Sequence, residues 1–167
     1  MRVVSLALAA ALSLSAPAFA EEQNPQIDYD GFVELTMQLA ETRQQHLLSF
    51  QDFTAMQQSE GAILLDTRSA KAFEEGHLAG AINLPFSDFT EGKLAKVLGD
   101  NMDRPILIYC NNNFRDNIRP VMTKKATLAL NIPTFINLHG YGYTNVWELS
   151  EIVMMDDVDW VRPEATG

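Results

Sequence analysis

Apolar residues along this chain fall into short continuous runs, separated by stretches in which apolar and polar positions mix with helical spacing. Ala62-Ile63-Leu64-Leu65, Ala81-Ile82-Asn83-Leu84, Pro105-Ile106-Leu107-Ile108-Tyr109 and Thr134-Phe135-Ile136-Asn137-Leu138 read as strands, and Leu47-Leu48 as a brief one. Runs this short without polar alternation fit strands covered on both faces. Between Gly31 and Gln45, the spacing of Phe32, Val33, Leu35, Met37 and Leu39 predicts a short amphipathic helix. Ser49 with Asp52 three residues on starts a second helix, carried on by Phe53 and Met56 and closed by Gly61. Ser69 to Glu75 gives a helical turn or two ended by Gly76, and Phe86 to Leu98 a further helix stopped at Gly99. The pattern then predicts a long helix from Phe114 to Leu130 with Pro120 in its first turns, ended by Asn131 and Pro133. The run at 134–138 follows as the last strand, Gly140 to Tyr143 as a loop, and Val146 to Val153 as a closing helix. Asp156 to Gly167 is an acidic tail.

Strands alternating with helices imply an α/β fold, a central parallel sheet with helices on both faces. Ligands in such sheets bind beyond the C-terminal ends of the strands, where Asp66 and Cys110 both stand. There is no internal repeat and no low-complexity tract.

The first 20 residues have a different logic. Arg2 is followed by an apolar stretch from Val3 to Leu14, and Ala18-Phe19-Ala20 forms a small-x-small cleavage site. This is the pattern of a secretory signal peptide, cleaved after Ala20, and too short for a membrane span. Its removal predicts a periplasmic or secreted protein with no membrane span. The chain has 167 residues and a formal charge of −10, and without Arg2 it keeps 11 basic against 22 acidic residues. An acidic chain lacking a basic stripe is a poor candidate for nucleic acid. An anionic substrate would need a locally positive site.

Export gives meaning to the single cysteine, Cys110. It cannot form a disulfide within the chain, so it is buried and inert, paired with another chain, or kept as a reactive thiol. It stands between the apolar run at 105–109 and Asn111-Asn112-Asn113-Phe114-Arg115. A thiol at a strand-to-helix turn gains from unpaired backbone N–H groups and the positive end of a helix dipole, which favour the thiolate. A small buried hydrophobe ending a strand fits the same position. One Cys and three scattered His leave no metal-ligand spacing.

A further pattern bears on the choice. Leu65-Asp66-Thr67-Arg68 precedes Phe73-Glu74-Glu75-Gly76-His77-Leu78-Ala79-Gly80-Ala81-Ile82-Asn83-Leu84-Pro85. An Asp-x-Arg at a strand end, an aromatic, His-x-x-Gly-Ala and a short strand ending in Pro closely resemble the first signature of the rhodanese-like domain. The resemblance divides the chain into the signal peptide at 1–20, a polar leader and helix at 21–46, a rhodanese-like domain at 47–153 and an acidic tail at 154–167. It implies the rhodanese-like three-layer fold, an active-site loop opening with a catalytic cysteine, and no metal or organic cofactor. Only Cys110 fills that position. The four residues between Cys110 and Arg115 resemble the C-x4-R loop of sulfurtransferases, whereas the related phosphatases carry one residue more. Asn113 stands where the family often has Gly, Asp116 where it often has Ser or Thr, and Ala79 where Pro is common.

The resemblance implies a sulfurtransferase moving a sulfane sulfur from a donor such as thiosulfate, polysulfide or a persulfide to a thiol or cyanide acceptor, or a protein acceptor, through a Cys110 persulfide. Arg115, Asn111, Asn112, Asn113 and Phe114 would bind the donor, with Arg115 offering a planar fork to oxyanions. Asp66, Arg68 and His77 would support the loop, and Tyr141 and Tyr143 could rim the pocket. The alternative is a catalytically weak or inactive rhodanese-like module that binds or regulates, with Asn111-Asn112-Asn113 and Asp116 marking a loop no longer tuned for turnover.

Overall fold

The structure is a computed structural model describing residues 24–162. The signal peptide, its cleavage site, the first residues of the leader and the end of the acidic tail lie outside the described residues. Five helices and seven strands follow in the order α1 (Tyr29–Gln45), β1 (Leu47–Leu48), α2 (Phe50–Gln57), β2 (Ile63–Asp66), α3 (Ala70–Glu75), β3 (His77–Leu78), β4 (Ala81–Asn83), α4 (Glu91–Leu98), β5 (Ile106–Tyr109), α5 (Asn131–Gly140), β6 (Val146–Leu149) and β7 (Trp160–Val161). Helix starts follow their polar caps. Asp28, Ser49, Ser69 and Thr90 each accept a bond from the backbone N–H three residues on, at 2.8, 3.1, 3.3 and 3.3 Å.

The sheet is parallel throughout, in the order β1-β6-β5-β2-β4. Successive residues of a strand point to opposite faces, and each face has its own core. Ile63, Leu65, Ile106, Ile108 and Val146 meet Leu94 and Leu98 of α4 and Phe135 and Leu138 of α5, with Leu39 of α1 packed against them. Leu64, Leu107, Tyr109 and Leu149 meet Phe53 of α2, with Trp160 of β7 against that cluster. Helices on both faces of a parallel sheet give the three-layer α/β architecture expected from the strand pattern. β7 pairs with β3 as a separate antiparallel ribbon. Its Trp160 lies against Gly76, where a β-carbon would come to 2.5 Å from the indole nitrogen and the backbone has φ of +154°. Glycine is required there on both counts.

Five expectations fail, all of them beyond residue 85. Residues 114–130 are not a helix: a 3-10 turn at Asn111–Asn113 is followed by an irregular excursion and a second 3-10 turn at Ala126–Leu128. Thr134–Leu138 belongs to helix α5 rather than to a strand, and Val146–Leu149 is a strand rather than part of a helix. A five-residue apolar run does not distinguish the two periods. Pro133, read as a stop, is the third residue of α5, in the first turn, where a missing N–H costs nothing. Phe86 to Leu98 is divided, because Thr90 caps a fresh helix after the 3-10 turn at Phe86–Asp88.

Candidate active site

Cys110 extends β5, a central strand, with φ of −145° and ψ of −175°. The 3-10 turn behind it is closed by Asn113. The Asn113 N–H donates to Cys110 O (3.1 Å), and Asn113 Oδ1 accepts from the Cys110 N–H (2.9 Å). Asn113 Nδ2 donates to Leu149 O (2.8 Å) and Glu151 O (3.1 Å), tying the turn to the end of β6. Asn113 is 6% exposed, and its amide makes bonds on both sides. A glycine here would leave those carbonyls without that donor, so the departure from the family pattern has a local structural reason.

The excursion is laid back over this turn by the other two asparagines. Asn111 Nδ2 donates to Met122 O (2.9 Å), while Asn112 Nδ2 donates to Lys124 O (2.8 Å) and its Oδ1 accepts from the Lys124 N–H (3.1 Å). Val121 is fully buried, and Arg119 pairs with Glu75. Asn117 adopts φ of +47° and accepts from the Thr123 N–H (2.9 Å). Asparagine tolerates that conformation better than most residues.

The chain then returns to the cysteine as α5. This ten-residue helix has Leu130 at its N-cap position and no side-chain cap. The backbone N–H groups of Asn131 and Leu130, at the start of α5, and that of Asn112 lie near enough to the Cys110 sulfur to favour its anion. The sulfur thus lies beside the uncapped N-terminus of α5, the end of the helix where the dipole favours negative charge. The expected helix N-terminus at the thiol is therefore present, supplied by α5 rather than by residues directly after Cys110. Cys110 is 1% exposed, and burial pushes its thiol above the ordinary value. The three N–H groups oppose that rise, and the nearby carboxylate of Glu148 adds to it.

Beneath the turn lies a buried polar network. Asp66 and Arg68 form an ion pair at 2.6 Å, both almost wholly buried. Tyr109 Oη donates to Asp66 Oδ2 (2.6 Å) and accepts from the Leu78 N–H (3.1 Å). Burial and the Asp66 charge push the Tyr109 phenol far above its ordinary range, so it stays a donor. Arg68 also donates to Gly76 O (2.8 Å) and to Pro120 O (3.4 Å), joining the signature segment to the excursion. His77 stacks on Phe73 with ring centroids 3.7 Å apart, and its Nδ1 pairs with Phe73 O at 2.8 Å. These contacts are those of a packing residue.

The other expected site residues are dispersed. Phe114 is buried 5.0 Å from the ring of Trp160 and 6.0 Å from that of Tyr109, so it is a core residue and does not face a substrate. The Arg115 N–H donates to Val153 O (2.9 Å), which removes it from the ring of donors around the sulfur. Its exposed side chain forms no ion pair with Asp66 or Asp116; the latter accepts from the Met155 N–H (3.0 Å). Tyr141 and Tyr143 follow the far end of α5, a rise of about 15 Å from the thiol, and bond to Phe89 O (3.4 Å) and Gly99 O (3.2 Å) instead of rimming the site. Among the described residues no cluster of His, Cys, Asp and Glu is placed to hold a metal ion, and no helix is long and apolar enough to cross a membrane.

The pattern reading missed Tyr109, Asn131, Glu148 and Arg43. Tyr109 and Glu148 carried a signal, each a polar group set into an apolar strand-like run. Asn131 and Arg43 carried none, because only the tertiary fold brings Asn131 to the thiol's turn and Arg43 to Glu148.

A family model for the Rhodanese-like domain matches residues 49–151. No curated protein matches the chain. Several solved structures resemble it at low identity. The polysulfide-sulfur transferase homodimer of Wolinella succinogenes is 15% identical, over 81% of this chain and 93% of that one, with a TM-score of 0.47. The BH2092 protein of Bacillus halodurans is 20% identical over 70% and 74%, with a TM-score of 0.43. The single-domain sulfurtransferase RDL2 of Saccharomyces cerevisiae is 14% identical over 66% and 85%, with a TM-score of 0.42. With the family match spanning more than half of its length, and with Asp66 and Cys110 at the C-terminal ends of neighbouring strands of one parallel sheet, the chain belongs to the rhodanese-like domain family.

Proposed function

We propose that the protein is an exported sulfurtransferase that carries sulfane sulfur on Cys110. The observation that supports this best is the sulfur's position at the end of β5, facing the uncapped N-terminus of α5. The Cys110 thiolate attacks the outer sulfur of a donor. A new S–S bond forms, the donor's own bond to that sulfur breaks, and sulfite or a shortened polysulfide leaves with the electron pair. A thiolate or cyanide acceptor then attacks the terminal sulfur and returns Cys110 as thiolate. The two displacements balance without an oxidant, and the persulfide is the covalent intermediate. The backbone N–H groups of Asn112, Leu130 and Asn131 stabilise the negative sulfur in both forms. Arg115 and the lysines of the excursion serve as the cations that meet an anionic donor.

A second reading is favoured by the burial of Cys110 and the upward shift of its thiol, which suit a module that binds a partner without turnover. Intact-mass spectrometry of reduced protein, isolated from a periplasmic fraction and treated with thiosulfate or polysulfide, separates the two. The enzyme reading expects a mature chain beginning at Glu21 that gains the mass of one sulfur, lost again on adding cyanide and absent in Cys110→Ala. A chain that never gains sulfur from either donor supports the module.

A further inference from the structure

We infer that Glu148 and Arg43 are a positioning pair behind Cys110: Glu148 fixes the amides that hold the thiol's turn, and Arg43, reaching in from α1, offsets most of the charge Glu148 would otherwise present to the sulfur. The inference deepens the sulfur-transfer reading and rests on it for its purpose, while its geometry stands apart. Glu148 lies on β6 beside Ile108 of β5, two residues before the cysteine. Its side chain is 7% exposed, and a bare carboxylate at that depth would be costly. Arg43 meets it with both arms of its fork, Nε to Oε2 at 2.8 Å and Nη2 to Oε1 at 2.6 Å.

The same carboxylate accepts from Asn131 Nδ2 at 3.2 Å. Because a carboxylate only accepts, the Asn131 amide must turn its NH2 toward it. That NH2 also donates to Asn113 Oδ1 (3.1 Å), which accepts from the Cys110 N–H (2.9 Å). The orientation of two amides, and with them the turn and the first residue of α5, is thus set by the charged oxygen of Glu148. Glutamine could present its own NH2 instead and lose that direction. α1 lies before the family match at 49–151, so Arg43 brings to the site a group from outside the family domain. Few other charges face the sulfur from the elements around it. α5 has no charged residue in its first turn, the Tyr109 hydroxyl is turned to Asp66, and Arg115 is exposed.

The test is the pH dependence of Cys110 alkylation by iodoacetamide in the full mature chain. Arg43→Gln should raise the apparent thiol pKa by about one unit, by leaving Glu148 unpaired, and Glu148→Gln should lower it by about one unit. Arg43→Lys should return most of the wild-type value, and the double variant R43Q/E148Q should fall back near wild type. General loosening would expose the thiol and move both single variants the same way. That result, or the absence of any shift, overturns the inference. If Arg43→Gln does not fold, Glu148→Gln and the double variant still decide the matter: a double variant that keeps the full shift of Glu148→Gln overturns the inference. Opposite shifts in a protein that never takes up sulfur would sink the sulfur-transfer reading and leave the pair standing.

Discussion

At the scale of single residues, the decisive balance is at the Cys110 sulfur. Burial disfavours its anion, and three backbone N–H groups favour it. Burial wins in this closed arrangement, so the folded thiol titrates above the unfolded one. The neutral buried thiol therefore contributes stability that is fully present below the unfolded value of about 8.5 and is lost as pH rises through the folded value. Denaturant midpoints should fall across that window in the native chain and stay flatter in Cys110→Ala. Tyr109 adds a loss of the same sign, but only above its unfolded value of about 10. Its phenol is held protonated by burial and by Asp66. Equal slopes in the two proteins between those values would contradict the shift assigned to the thiol. Reactivity at neutral pH then requires reagents to reach a buried sulfur, and the segment held against its turn bears on that.

At the scale of elements, the segment held against the Cys110 turn is the excursion between Phe114 and Leu130, pinned by Asn112 to Lys124 at two points. Asn112→Ala removes both side-chain bonds, at a cost of about 1–2 kcal/mol. If the excursion must lift for reagents to enter, opening becomes easier by a similar amount, and iodoacetamide should react roughly tenfold faster at fixed pH. An unchanged rate in a variant of slightly lowered stability would mean that the thiol is reached by another path. This segment is also where the sequence was least legible. Residues 47–84 were readable because Ser49, Ser69, Gly76 and the run at 62–65 state their structure locally, and the signature around His77 adds a family pattern. The excursion has no period to read, and Pro120 sits within it without marking either end. A helix placed over 114–130 makes the next two elements exchange types. Thr134–Leu138 looks like a strand until α5 has already begun at Asn131, and Val146–Leu149 looks helical until the sheet is seen to need a strand between β5 and β1. Cys110 itself was legible, as were Asp66 and Arg68. The donors around its sulfur were not, because two of the three arrive from residues 130 and 131.

At the scale of the whole molecule, the proposed sulfur transfer asks an acidic protein to admit an anionic donor. The chain has a formal charge of −10, which repels such donors from most of its surface. The excursion runs against that trend, with Arg115, Arg119, Lys124 and Lys125 against the single acid Asp116. Arg119 is already committed to Glu75, which leaves Arg115 and the two lysines beside the turn that Asn111 and Asn112 hold. Their long exposed side chains form a small positive patch in a negative field, on the segment held against the turn that carries the thiol. A pair of reagents of similar size separates the two effects. Iodoacetamide is neutral and reports access, whereas iodoacetate carries the charge of a donor, so the ratio of their rates reports the field alone. Lys124→Glu with Lys125→Glu should lower that ratio roughly threefold to tenfold at low ionic strength, leaving the neutral rate nearly unchanged. Added salt should erase most of the difference, because at 0.1 M the screening length is about 10 Å. A ratio indifferent to both the substitutions and the salt would mean that anions reach Cys110 without passing the excursion, and the donor's path would then have to lie on the side of α1 and β6.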